Sequence, residues 1–115
     1  MSGYYTQKHR QAVRAAVRWL IDNGHPHAEA RAREGEDEDR GDIAGIPGLV
    51  IEVKTGATPR WNDWLDQLDA ELAREQQRTG QPADGIILWR KPGVTDPARW
   101  LTIRRLAAEA AEWRR

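Results

Sequence analysis

The chain has 115 residues, 39% of them apolar and 31% charged, and its 18 basic and 18 acidic side chains cancel to a formal charge of zero. That length suits one ordinary domain, residues 1–115, with a single modest core. The absence of cysteine excludes disulfide scaffolds, thiolate zinc sites and cysteine nucleophiles; no stretch is long enough to span a membrane, and no signal peptide is visible.

The zero total hides an asymmetry. Residues 1–21 carry Lys8, Arg10, Arg14 and Arg18 and no acid; residues 22–42 carry eight acids against Arg31, Arg33 and Arg40. A neutral total argues against broad nonspecific nucleic-acid binding, but it leaves room for local phosphate contacts beside an acidic metal site.

In chain order, residues 6–22 read as an amphipathic helix, with Val13, Ala16, Val17 and Leu20 on one stripe and Arg10, Arg14 and Arg18 on another. Asn23-Gly24 and Pro26 end it. Residues 27–34 alternate alanine with charge and predict a short edge strand, followed by an exposed acidic loop at 35–41. Residues 42–48 predict a short strand entering a turn, and Leu49–Lys54 the strand after it. Thr58-Pro59 predicts a capped entrance to a second helix over 59–79, whose apolar stripe is Trp61, Trp64, Leu65, Leu68 and Leu72. A buried strand at 85–90, a Lys91-Pro92-Gly93 turn, a strand at 100–104 and a terminal helix at 105–114 complete the order. The order implies a compact α/β or α+β domain.

The chemistry concentrates at Asp42, Glu52 and Lys54. A hairpin between residues 42 and 52 would bring the two carboxylates together as hard oxygen ligands for Mg²⁺ or Mn²⁺. Lys54 emerges on the same strand face as Glu52, where it can orient a water or steady charge on a phosphate. Acid–Val–Lys alone is common in exposed strands. Here Leu49-Val50-Ile51 precedes it, and two ionisable groups in an apolar strand are costly unless paired or metal-bound.

The run Gly41-Asp42-Ile43, Gly45-Ile46-Pro47-Gly48, Ile51-Glu52-Val53-Lys54 resembles the PD-(D/E)xK nuclease superfamily, and more narrowly its small phage-encoded, Holliday-junction-resolvase-like members. The resemblance covers most of residues 10–90. It implies an α/β fold with a restriction-endonuclease-like core, a small mixed sheet flanked by helices, with Asp42 and Glu52 as metal-binding acids, Lys54 as the catalytic lysine and the Val53 carbonyl as a further metal ligand. The implied activity is an Mg²⁺-dependent endodeoxyribonuclease, with Mn²⁺ able to substitute, that hydrolyses DNA phosphodiester bonds at branched or four-way junctions. The implied location is cytoplasmic, in a phage or bacterial setting. Many members carry a glutamate on the first helix, whereas here no acid precedes Asp22; either Gln7 or Gln11 stands in, or the site works without that ligand. That departure motivates the alternative, a non-catalytic DNA-binding or assembly protein on a degenerate nuclease fold.

Members also often place Gln or Glu on the helix after the lysine, which makes Gln67, Glu71 and Gln77 accessory candidates, although ordinary polar-out patterning predicts that they face solvent. Glu29 either points into the site from its strand or lies on the surface beside Arg31 or Arg33. His9, His25 and His27 have no companion cluster and read as surface histidines. The acids at 36–39 read most simply as a solvated loop, with repulsion of misoriented DNA as a second use. Arg10, Arg14 and Arg18 are candidate phosphate contacts; Arg60, Arg90 and Lys91 form a second group, and Arg114-Arg115 a basic tail. The six tryptophans are mostly core residues, with Trp61 and Trp64 expected in part at a homodimer face.

Overall fold

The first helix, α1 (Gln7–Asp22), forms where small and β-branched residues recur at helical spacing, and it buries Ala12, Val13 and Ala16. Arg10, Arg14 and Arg18 lie exposed on its outer side. The structure, a computed structural model, describes residues 7–31 and 40–113. After α1 come β1 (Glu29–Ala30), β2 (Ile43–Ala44), β3 (Leu49–Thr55), α2 (Trp61–Thr79), β4 (Asp84–Arg90), a 3₁₀ turn (Pro97–Arg99), β5 (Leu101–Ile103) and α3 (Leu106–Ala111).

The five strands form one mixed sheet in the order β1-β2-β3-β4-β5. β1, β2 and β3 are successively antiparallel, β3 and β4 run parallel, and β5 returns antiparallel to β4. The parallel step requires a crossover, and α2 supplies it. β3 is buried on both faces, and its side chains alternate between two layers. Ile51 and Val53 join Ile43 and the buried face of α1 in one cluster; Val50 joins Trp64, Leu68, Ile87 and Trp89 in a second cluster beneath α2. Complete burial of a side chain such as Leu68 is worth about 1.5–3 kcal/mol. By this alternation Glu52 and Lys54 lie on the α2 side of the sheet.

The α/β expectation and the element order hold, but several bounds differ. β1 spans two residues; residues 32–34 of its expected length, the acidic run 36–39 and Arg114-Arg115 lie outside the described residues. Thr58 does not cap α2. The first helical bond runs from the Trp64 N–H to the Arg60 carbonyl, so Arg60 occupies the N-cap, and its side chain makes no capping bond. Packing takes the place of a cap: the Trp61 ring meets those of Trp64 and Trp89 edge-on, with centroids 5.4 and 5.0 Å away. Trp64 is core, while Trp61 stays 38% exposed. The 3₁₀ turn was not foreseen; the Asp96 carboxylate starts it by accepting the Ala98 N–H at 3.0 Å. β5 and α3 are shorter than their sequence patterns suggested. No helix among the described residues is long and apolar enough to cross a membrane.

Candidate functional site

The site forms where β2 gives out beside β3. Ile43 pairs with Ile51, and the preceding residue, Asp42, also addresses Ile51 by donating its N–H to the Ile51 carbonyl at 2.7 Å. Two residues therefore oppose one, the count of a β-bulge, which ends regular pairing and re-aims a side chain. Glycines make room on either side. Gly41 has a positive φ of 95°, and a Cβ there would lie 3.0 Å from the Ile51 carbonyl oxygen; a Cβ on Gly45 would collide with the His27 carbonyl.

The re-aimed carboxylate of Asp42 takes over the job of the missing strand. Its Oδ2 accepts the Val53 N–H at 2.7 Å, and Asp42 is only 3% exposed. In an antiparallel ladder a residue turns its N–H and C=O toward the same edge. The Val53 carbonyl therefore faces the edge that Asp42 occupies. From the other side His9 Nε2 of α1 approaches Asp42 Oδ2 at 3.4 Å.

On the α2 face a second polar line is buried. Glu52 is 2% exposed, with Oε1 3.8 Å from Lys54 Nζ. Lys54 Nζ donates to Gln67 Oε1 at 2.9 Å, and Gln67 Nε2 donates to Glu71 Oε2 at 3.2 Å. The amide of Gln67 thus bridges the ammonium and a carboxylate, its oxygen to the cation and its nitrogen to the anion. Lys54 also lies 6.0 Å from the centre of the Trp64 ring.

The structure brings Asp42, Glu52, Val53 and Lys54 together around one stretch of β3, with Gln67 and Glu71 behind Lys54. The solvent-face expectation for Gln67 and Glu71 is corrected. Glu71 is 1% exposed because the inward stripe of α2 runs through Trp64, Leu68 and Glu71 and lies over the polar end of β3. Glu29 is exposed on edge strand β1, two strands from β3, as the surface reading has it. Gln7 and Gln11 are exposed, so neither stands in for a helix-one acid. His9, read as a surface residue, instead reaches the site from α1. The signal was present: His9 lies three, four and seven residues before Ala12, Val13 and Ala16, the buried face of that helix.

The basic candidates separate. Arg60 is exposed and paired with Asp63 at 3.2 Å, one turn along α2. Arg90 and Lys91 line a groove at the carboxyl ends of β3 and β4, together with Lys8 of α1.

The donor set suits a hard divalent cation: two carboxylates and a backbone carbonyl, with the remaining positions left to water, is the ligation Mg²⁺ favours. Among the described residues no group of three or more His, Cys, Asp or Glu side chains is placed to hold one ion. No family model, no curated protein and no solved structure matches this chain.

Proposed function

We propose that the chain is a metal-dependent endodeoxyribonuclease on a PD-(D/E)xK-like core. The observation that carries this reading is the burial of Asp42, Glu52 and Glu71 in so small a domain, with Lys54 beside Glu52 and linked to Glu71 through Gln67. Ionisable groups held out of water add little stability for their desolvation cost, and they concentrate at functional sites.

Asp42, Glu52 and the Val53 carbonyl are the oxygens that would hold Mg²⁺ or Mn²⁺. The ion, when bound, supplies Lewis-acid polarisation of a phosphate and acidifies water. The chain's own residues do the rest. Asp42 is held by the Val53 N–H and His9, which fixes its carboxylate before any ligand arrives. Lys54 brings a positive charge to the phosphate. The Gln67–Glu71 pair holds that ammonium in place from behind, so its position is set in advance. DNA is the substrate class, with four-way junctions as the proposed shape and a symmetric dimer as the proposed assembly.

The test is cleavage of linear, nicked, flapped and four-way DNA with Mg²⁺ or Mn²⁺ by wild-type, Lys54→Ala and Asp42→Asn proteins. Wild-type cleavage, lost in both variants while each stays folded, is the expected outcome. A folded Lys54→Ala protein that cleaves at the wild-type rate refutes the assignment. Equal rates on linear duplex and junctions at physiological salt would remove the junction preference alone.

One observation favours a second reading. α1 turns a histidine rather than an acid toward Asp42. A non-catalytic DNA-binding or assembly protein on the same fold would then bind branched DNA without taking up metal, which calorimetry with Mg²⁺ and Mn²⁺ distinguishes.

A further inference from the structure

At the carboxyl ends of the parallel strands β3 and β4, α1 and the turn after β4 enclose a groove with a volume of about 100 Å³. Its cationic lining is Lys8, Arg90 and Lys91, and no acid lines it. Lys8 and Lys91 are exposed, and Arg90 is half-buried. Among the described residues none of the three is engaged in an ion pair with a carboxylate. Five other described arginines, Arg40, Arg60, Arg78, Arg104 and Arg105, each have a carboxylate partner. In a chain whose formal charge is zero, three cations around one small concavity are a local excess.

The walls are set by the fold rather than by mobile side chains alone. Thr55 and Arg90 are partners in the β3–β4 ladder, which places the Arg90 stem beside Thr55. Trp89 Nε1 donates to the Gly56 carbonyl at 3.0 Å and pins the chain leaving β3. The Val94 N–H closes the turn onto the Lys91 carbonyl at 3.1 Å, and Lys91 Nζ lies 5.8 Å from the centre of the Trp89 ring. The volume holds the equivalent of about three waters at ~30 Å³ each. That is room for one small tetrahedral anion. Arg supplies a planar fork and Lys compact point charges, the donors that recognise phosphate oxygens.

We propose that this groove binds a phosphate group of a nucleic-acid strand. Lys54 and Thr55 are consecutive on β3 and so project to opposite faces of the sheet; the groove, with Lys8 of α1 in its lining, takes a phosphate other than the one that meets Lys54. The identity of the strand rests on the nuclease reading; the anion site itself rests on the groove. It gives the chain a second grip that fixes the register of the strand without reading bases.

The test is made in EDTA, where no cleavage occurs, so it stands apart from activity. Inorganic phosphate is titrated while the amide signals of Thr55, Gly56 and Gly93 are followed by NMR. Short labelled oligonucleotides with and without a 5′-phosphate are titrated by anisotropy over a range of salt. Wild type, Arg90→Gln/Lys91→Gln, Lys8→Gln and the control Arg78→Gln are compared, each first shown to be folded by its melting curve. The groove signals should shift with phosphate in the wild type and not in the double variant. The double variant should lose affinity for oligonucleotides, and its slope of log affinity against log salt should fall by about one per phosphate contact removed. Arg78→Gln, near the carboxyl end of α2 and outside the groove lining, should change neither the groove signals nor the binding of inorganic phosphate. Preference for the 5′-phosphorylated oligonucleotide assigns a terminal phosphate, and equal binding assigns an internal phosphodiester; either supports the site. Unchanged oligonucleotide affinity and salt slope in the double variant overturn the proposal, even if inorganic phosphate binds. Loss of cleavage in Lys54→Ala with EDTA affinity retained would leave both proposals standing. No cleavage by the wild type, with groove binding intact, would refute only the nuclease reading.

Discussion

Replacing Lys54 with methionine keeps most of the stem volume and removes the ammonium that lies 3.8 Å from Glu52 Oε1. At that distance, with an effective dielectric constant near 20, the gross attraction is ~4 kcal/mol. Losing the charged bond to Gln67 costs a further ~1.5 kcal/mol or more. Against this stands the relief of no longer desolvating Lys54, whose side chain is 16% exposed and so only partly removed from water. The net expectation is a loss of about 2–3 kcal/mol, or roughly 10 °C in melting temperature for a domain of this size. Glu52→Gln should cost much less, below about 1 kcal/mol, because the half-buried Lys54 keeps Gln67 and can reach water while the buried carboxylate cannot. The two changes combined should cost less than their sum, with a coupling of about 1–3 kcal/mol. Urea unfolding of all four proteins in metal-free buffer at neutral pH gives the cycle. A coupling below about 0.5 kcal/mol, or equal small losses in both single variants, would refute the view that Glu52 and Lys54 are held as a pair.

His9→Ala removes one of the groups that hold Asp42 and should cost about 1 kcal/mol in urea unfolding, along with a fall in the metal-dependent cleavage proposed above. Gly45→Ala should destabilise by about 1–3 kcal/mol or more, since the new methyl meets the His27 carbonyl at a positive φ; Gly56→Ala, where a Cβ meets nothing within 4 Å, should cost less, and thermal melts compare them. Glu75 has its carboxyl held below the usual carboxylate range, chiefly by its hydrogen bond with Arg78. A depressed pKa contributes stability above the unfolded-state value and loses it as pH falls through the folded-state value, so Glu75→Gln should flatten the acid side of the stability profile. The exposed setting of that pair limits the effect to about 0.3–0.5 kcal/mol.

Elements whose burial follows one simple period were legible. The α1 stripe and the apolar run of β3 each announce a single partner layer, and both formed where expected. The entrance to α2 was misplaced because a local rule, Thr before Pro, competed with a tertiary one. Three tryptophan rings, two of them on α2 and one on β4 across the sheet, set where the helix begins, and no window of local sequence contains that meeting. The 3₁₀ turn was missed for a simpler reason: Asp96-Pro97 carries a start signal, but three residues are too few to show a period.

The site divides along the same line. Asp42, Glu52 and Lys54 were legible because they break the apolar pattern of strands that must be buried, and a charge in such a place asks for a partner. Glu71 breaks a pattern too, but on a helix with a generous polar face a glutamate passes as ordinary surface unless its angular position is compared with the core residues. It lies seven positions after Trp64 and three after Leu68, on the line those residues draw. His9 extends the buried line of α1 in the same way, three residues before Ala12 and four before Val13. Polar residues that continue an apolar stripe belong to the interior until shown otherwise, because the helix has one orientation and carries every residue on that face inward together. On this chain that rule finds His9 on α1 and Glu71 on α2. It passes over Arg10, Arg14 and Arg18, which lie on the opposite face of α1 and remain in water.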